Sequence, residues 1–129
     1  MGLDTTHDAW HGAYSAFNRF RQAVAKAAGG SYPPHEDKTL DDTIWYSRGG
    51  AWNKAYPGLT EFFNHSDCDG DISPEMCELI ANEMGPLLPA LDALGGDFGH
   101  TMGGYGACAR RFIAGCRLAA ANNERLEFQ

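Results

Sequence analysis

The sequence predicts a mainly α-helical fold, a compact domain of about four helices with at most a small sheet, so that an α+β arrangement stays open. Three observations lead to this prediction. An amphipathic stripe follows Asp8, a serine–proline pair marks a helix start near the middle, and apolar residues recur with helical spacing near the end. With 129 residues, the chain has the common size of a single domain, so we expect residues 1–129 to form one.

The first predicted helix runs from Asp8 to Gly30. Its apolar residues recur at three- to four-residue or double-turn intervals; they are Trp10, Tyr14, Phe17, Val24 and Ala28. Thr5 followed by Asp8 is typical of a capping box at a helix start. The pair Gly29-Gly30 can adopt the left-handed backbone that ends a helix.

In the middle of the chain, the sequence predicts only short secondary-structure elements and a loop. Residues 31–37 indicate an extended loop, and residues 39–46 fit either a short helix or a strand. Residues 59–64 predict one or two helical turns that present Phe62 and Phe63 to the core.

In the second half of the chain, the sequence predicts two longer helices and, between them, one short apolar helix. Ser-Pro-Glu at 73–75 indicates a helix start, because serine caps the first turn and proline suits the first helical position. This helix should extend to about Met84. Apolar patterns then predict helices over 87–94 and 105–121, and alternation at 126–128 predicts a strand.

Composition excludes some classes of function. Ten basic and seventeen acidic residues give a net charge of −7, which weighs against binding nucleic acid. No apolar stretch approaches membrane-spanning length, and no basic segment precedes an apolar run at the start, so we expect a cytoplasmic protein without a membrane partner. The four cysteines form no Cys-x-x-Cys pair and predict free thiols; Cys77, Cys108 and Cys116 should be buried on helices.

The segment His65-Ser66-Asp67-Cys68-Asp69-Gly70-Asp71 places an imidazole, a hydroxyl, a thiol and three carboxylates within seven residues. With Glu78, its aspartates match four ligand positions of an EF-hand loop, but Ile72 replaces the required glycine. If the loop is shifted so that Gly70 takes the glycine position, His65 falls at the first ligand position and Met76 at the last. The segment therefore fits a hydrogen-bonded turn or a looser site for a divalent metal better than an EF-hand.

His7 and His11 are four residues apart, so on a helix both rings would face one side, as in the His-Glu-x-x-His zinc motif. Asp8 stands where that motif has glutamate. The alternative is that one histidine caps the first turn and the other packs beside Trp10. The candidate metal ligands of the whole chain are His7, His11, His65, Asp67, Asp69 and Asp71.

Two motif regions resemble a family of small, functionally uncharacterised proteins from bacteria and their phages. The regions are Gly2-Leu3-Asp4-Thr5-Thr6-His7 with Trp10-His11-Gly12 and Tyr14, and Asn64-His65-Ser66-Asp67-Cys68-Asp69-Gly70. The resemblance implies a phage-related protein that acts in the host cytoplasm. Small phage proteins often bind or sequester a host component, including nucleotide-derived immune signals.

The leading hypothesis is a non-catalytic binding protein that acts as a host-defence antagonist. A small, possibly nucleotide-derived ligand would lie between the start of the first helix and residues 65–71, here called the acidic segment. The predicted ligand-binding residues are Asp4, Thr6, His7, Trp10, His11, Tyr14, His65, Ser66, Asp67, Cys68 and Asp69. Two alternatives stay open: a metal-dependent hydrolase whose His and Asp ligands activate water, and an interaction module that blocks a host enzyme with its acidic face.

Overall fold

A computed structural model describes residues 2–28, 57–64, 70–96 and 103–128. Its α-helices are α1 (Tyr14–Ala27), α2 (Pro57–Asn64), α3 (Pro74–Met84), α4 (Leu88–Leu94) and α5 (Tyr105–Ala121). Its strands are β1 (Gly2–Asp4), β2 (His11–Ala13), β3 (Asp71–Ile72) and β4 (Leu126–Glu127), and 3₁₀ turns span Thr6–Asp8 and Gly85–Leu87. The prediction of a mainly helical fold with little sheet is confirmed, since these strands form only two small pairs in the described ranges.

The chain begins with a β-hairpin in place of the predicted helix start. Strands β1 and β2 pair antiparallel, with Leu3 opposite Gly12 and Asp4 opposite His11. The predicted start at Asp8 is therefore wrong, because α1 begins only at Tyr14 and its N-cap is Ala13. The hairpin brings Leu3 and the Trp10 indole into the core, and this burial outweighs the local helical pattern.

Thr5 does not form the predicted capping box with Asp8. Its hydroxyl accepts a hydrogen bond from the Trp10 backbone amide at 2.9 Å, and its own amide donates to the Trp10 carbonyl at 3.0 Å. Thr5 therefore closes the loop between β1 and β2 and does not start a helix.

Aromatic rings from distant parts of the chain form the centre of the core. Trp10 stacks on Phe20 with ring centroids 5.4 Å apart, and Phe17 meets Phe62 edge-on at 5.8 Å. Phe62 in turn lies 5.0 Å from Phe112 of α5. These contacts join the hairpin, α1, α2 and α5. The burial of Phe62 and of Phe63 confirms the prediction for this short helix.

Helix α3 begins and ends where the sequence predicts. The Ser73 hydroxyl accepts a hydrogen bond from the Met76 amide at 3.2 Å, and Pro74 occupies the first turn. The Glu83 carboxylate of α3 accepts hydrogen bonds from the Gly58 and Leu59 amides, each at 2.9 Å, and so caps α2. The most extensive packing between two described helices is that of α3 against α5.

The predicted terminal strand is confirmed as β4. Asp71 lies opposite Glu127 and Ile72 opposite Leu126 in an antiparallel pair, while Thr5 forms an isolated bridge with Phe128. Residues 126–128 are thereby joined both to the N-terminal loop and to Asp71 and Ile72, where the acidic segment ends.

Three cysteines lie in the described part of the chain. Cys77, Cys108 and Cys116 are free and fully buried, as predicted. The predictions for residues 31–37 and 39–46, and for a helix stop at Gly29-Gly30, fall outside the described residues. Among the described helices, none has both the length and the apolar character needed to cross a membrane.

Candidate functional site

An open cleft lies where β4 meets the N-terminal 3₁₀ turn. It has a volume of about 520 Å³, and its lining residues, here called the terminal cleft, are Thr6, His7, Glu124, Arg125 and Glu127. The cleft therefore draws its side chains from both ends of the described chain.

His7 is the centre of a hydrogen-bonded series in this cleft. Its Nε2 atom lies 2.9 Å from a carboxylate oxygen of Glu124, and its Nδ1 atom lies 2.8 Å from the Thr6 hydroxyl. Because an ionised carboxylate only accepts, Nε2 carries a proton, and in the neutral ring Nδ1 accepts from the hydroxyl of Thr6. The Glu127 amide donates to that hydroxyl oxygen at 2.9 Å. With 11% of its side chain exposed, the imidazole has a fixed orientation.

The backbone of the turn is strained at two successive residues. His7 has φ 61° and Asp8 has φ 56°, so both occupy the left-handed region that non-glycine residues rarely adopt. Arg111 of α5 holds this turn, because its Nε donates to the Asp8 carbonyl at 2.9 Å and its Nη2 to the Asp8 carboxylate. The turn is thus held from two sides, by Glu124 through His7 and by Arg111 through Asp8.

Ala9, which follows Asp8, packs closely against α5 and also holds the turn in place. A Cβ atom added at Gly115 of α5 would lie 2.5 Å from the Cβ of Ala9. The glycine therefore lets the turn approach α5 more closely than any other residue would allow.

Charges make the terminal cleft locally acidic. The hydrogen bond from His7 is the main cause that lowers the pKa of Glu124, with a smaller effect from Asn122. Arg125 donates to the Asp71 carboxylate at 2.7 Å, and this bond raises the pKa of the guanidinium. The cleft contains two carboxylates, those of Glu124 and Glu127, and one guanidinium that already forms an ion pair.

The described end of the acidic segment lies next to the cleft. The Phe128 amide donates to the Gly70 carbonyl at 2.9 Å, while Phe128 also bridges to Thr5. Since neighbouring strands lie about 4.8 Å apart, Gly70 and Thr5 are separated by roughly 10 Å across β4. The remaining predicted site residues of this segment, His65, Ser66, Asp67, Cys68 and Asp69, lie outside the described residues.

The predicted common face for His7 and His11 is wrong. The His11 imidazole bonds to the exposed Asp4 carboxylate opposite it in the hairpin, whereas His7 bonds to Glu124. The two residues lie in a strand and in a 3₁₀ turn, so the helical spacing of four does not apply.

Trp10 and Tyr14 pack towards the core. The Trp10 side chain is only 1% exposed, so the prediction that it lines an open pocket is wrong. Its stacking on Phe20 accounts for its position. Tyr14 is partly buried against the same core.

The described metal-ligand candidates do not come together. His7, His11 and Asp71 each bond to a different side chain, namely Glu124, Asp4 and Arg125. Residues 2–28, 57–64, 70–96 and 103–128 contain no group of three or more His, Cys, Asp or Glu side chains arranged to hold a metal ion.

The C-terminal residues that line the cleft were not predicted as site residues from the sequence. Glu124, Arg125 and Glu127 line the cleft, and Arg111 holds the turn. The alternation that predicted β4 also places residues 125 and 127 on one side of a strand. No local pattern indicates that this strand pairs with residue 5 and residues 71–72.

Comparison with models of protein families, with curated proteins and with solved structures found no match for this chain.

Proposed function

We propose that this chain is a small-ligand-binding protein and that the terminal cleft is its binding site. The observation that carries the proposal is the left-handed pair His7-Asp8 at the edge of the cleft. A residue in a sparsely populated backbone region costs of order 1 to 3 kcal/mol, and such residues cluster at functional sites. Here side chains of Arg111 and Glu124 hold the strained turn in one conformation.

The shape and support of the cleft fit ligand binding. Its volume of about 520 Å³ falls within the range typical of small-molecule sites. The His7 imidazole and the Thr6 hydroxyl are already oriented by hydrogen bonds, which lowers the entropic cost of binding a ligand there.

The charges of the cleft favour a ligand that donates hydrogen bonds. The carboxylates of Glu124 and Glu127 accept such bonds, and they repel phosphate groups. An amine or a polyhydroxyl compound satisfies these groups, and a nucleotide-derived ligand would present its base amine or ribose hydroxyls to them.

Amide chemical shifts of the ¹⁵N-labelled protein test the position and chemistry of the site. The probes are a diamine, a nucleoside and the corresponding nucleoside triphosphate. We expect the diamine or the nucleoside to shift the amides of Thr6, His7 and Glu127 more than the triphosphate does. Shifts confined to other parts of the chain, or a preference for the triphosphate, would contradict the proposal.

A matched pair of variants tests the role of the carboxylate. Glu124→Gln keeps the shape of the side chain but removes its charge, so the diamine should bind less tightly. Asp92→Asn removes the charge of another exposed, ion-paired carboxylate, which lies on α4 and bonds to Arg110 of α5; neither residue lines the cleft. That control should leave diamine binding unchanged.

The identity of the natural ligand, and with it the proposed antagonism of host defence, requires a separate measurement. Protein purified from bacterial cells is denatured by heat, and the released small molecules are identified by mass spectrometry. We expect a host metabolite to accompany the wild-type protein and to be depleted in Glu124→Gln. A nucleotide-derived immune signal among the released compounds would support the antagonist role.

A metal-independent hydrolase is the second candidate. The order of hydroxyl, imidazole and carboxylate in Thr6, His7 and Glu124 resembles the arrangement that activates a hydroxyl nucleophile. Hydrolysis of an activated ester such as p-nitrophenyl acetate tests it: Thr6→Ser should retain turnover and Thr6→Val should lose it. Absence of turnover by the wild-type protein would leave binding as the function of the cleft.

A further inference from the structure

A second open cleft lies where α1 packs against α4 and the start of α5. It has a volume of about 290 Å³. Its described lining residues, here called the basic cleft, are Arg19, Gln22, Ala23, Lys26, Leu94 and Tyr105. The basic cleft and the terminal cleft share none of their described lining residues, so they are separate sites.

One face of α1 supplies the polar side of the basic cleft. Arg19, Gln22 and Lys26 follow one another at spacings of three and four residues, so they are neighbours on the helix surface. All three side chains are exposed. An anionic group that lies above Gln22 therefore has a cationic side chain one turn away in either direction along the helix.

Leu94 and Tyr105 supply the apolar side of the cleft. Leu94 ends α4 and is one of the exposed large hydrophobic residues of the described chain. The Tyr105 ring lies directly against the backbone of Gly96, because a Cβ atom added at Gly96 would lie 2.6 Å from its Cε2. A leucine and an aromatic ring form a surface that suits the ring of a small ligand.

Hydrogen bonds join the end of α4 to the start of α5 and hold this apolar side in place. The Tyr105 amide donates to the Gly95 carbonyl at 2.8 Å. The Asp92 carboxylate of α4 accepts two hydrogen bonds from the Arg110 guanidinium of α5, each at 2.8 Å. Because the cleft is largely formed before a ligand arrives, little entropy is lost in ordering it on binding.

The local charge of the basic cleft is opposite to that of the whole chain. Its described lining residues include two cations and no carboxylate, whereas the terminal cleft contains two carboxylates. The net charge of −7 acts weakly here, since exposed charges more than about 8 Å apart are largely screened at physiological ionic strength. The Asp92 carboxylate on α4 already forms an ion pair with Arg110. The cleft therefore favours an anion.

We propose that the basic cleft binds a small organic phosphate, in which one phosphate group is joined to one ring. The phosphate accepts hydrogen bonds from the Lys26 ammonium and the Gln22 side-chain amide, and the charge of Arg19 adds to the attraction. The ring lies against Leu94 and Tyr105. The cleft is at the lower end of the volume range of small-molecule sites, roughly 300 Å³, which fits such a ligand better than a nucleoside triphosphate.

Amide chemical shifts of the ¹⁵N-labelled, full-length protein test the proposal. The probes are phenyl phosphate, inorganic phosphate, which lacks the ring, and phenol, which lacks the phosphate. We expect phenyl phosphate to shift the amides of Gln22, Ala23, Leu94 and Tyr105 at concentrations where the other two probes cause smaller shifts.

Two results of this titration would overturn the proposal. Shifts at Thr6, His7 and Glu127 in place of the basic cleft would move phosphate binding to the terminal cleft. Equal shifts by phenyl phosphate and inorganic phosphate would mean that the ring plays no part. The proposal does not depend on the function of the terminal cleft, whose own probes are read at different amides.

A matched pair of charge variants tests the role of Lys26. Lys26→Gln removes the charge of an exposed side chain that lines the cleft, so the dissociation constant of phenyl phosphate should rise about tenfold. Arg117→Gln makes the same change in net charge at an exposed position of α5 that does not line this cleft, and it should leave the constant unchanged. An unchanged constant for Lys26→Gln, or an equal rise in both variants, would overturn the proposal.

Discussion

At the scale of single residues, Gly115 is the position where a methyl group matters most for the turn. An added Cβ would lie 2.5 Å from the Ala9 Cβ and 2.8 Å from its Cα, so the turn or α5 must move. We expect Gly115→Ala to lower the free energy of unfolding by about 1 to 3 kcal/mol, as overpacking usually does. Urea denaturation measures the change.

Gly85→Ala is the matched control for this substitution. A Cβ at Gly85 would have no neighbour within 4 Å, and the residue has helical φ and ψ. The variant should be neutral or up to about 1 kcal/mol more stable, because alanine restricts the unfolded chain. Equal effects of the two substitutions would contradict close packing of α5 on the turn.

The hydrogen bond between His7 and Glu124 predicts a dependence of stability on pH. Folding lowers the pKa of this carboxyl, so the ionised form stabilises the folded protein above the ordinary glutamate pKa of about 4.3. That contribution disappears as the pH falls through the lowered folded-state pKa. Thermal melts should therefore give the wild type a higher melting temperature than Glu124→Gln at pH 7, and the difference in melting temperature should shrink in acid. A difference that stays constant down to pH 3 would contradict this assignment.

Local chemistry decides which residues could be assigned from the sequence. The burial of Cys77, Cys108 and Cys116 followed from their apolar neighbours, and it is confirmed. The shared face of His7 and His11 depended on a helix that does not form there. Their partners, Glu124 and Asp4, are set by strand pairing, which the spacing of the histidines does not encode.

At the scale of elements, α3 shows when a sequence predicts structure well. Its capping serine, its first-turn proline and its apolar face all agree, and all act within a few residues. The start of α1 was wrong because the apolar pattern around Trp10 fits both a helix and a buried hairpin loop. Long-range burial of Leu3 and Trp10 decides between them.

The cap of α3 gives a prediction for this element. Ser73→Ala removes the hydroxyl that accepts from the Met76 amide, so the free energy of unfolding should fall by about 1 kcal/mol. Ser15→Ala, at an exposed position of α1, should change it by less than about 0.5 kcal/mol. Denaturant unfolding curves compare the two, and an unchanged stability of Ser73→Ala would mean that the cap does not hold α3.

At the scale of the whole molecule, β4 joins segments that are far apart in sequence. Its successive amides point to opposite edges, so Glu127 donates to Thr6 while Phe128 donates to Gly70. This arrangement places Gly70 and Asp71 beside the same strand as the N-terminal loop, and the prediction that residues 65–69 face that loop stays a prediction. The sequence contains the strand pattern but not its two partners, so the lining residues Glu124 and Glu127 could not be predicted.

The most direct test of the proposed site compares how two arginine variants bind the diamine or nucleoside that the wild type binds best. Arg111→Lys cannot reproduce both hydrogen bonds to Asp8, so the left-handed turn should relax and the dissociation constant should rise about tenfold, or about 1.4 kcal/mol. Arg117→Lys, on an exposed part of the same helix, should leave the constant unchanged. Equal dissociation constants for Arg111→Lys, Arg117→Lys and wild type would contradict a binding site built on the strained turn.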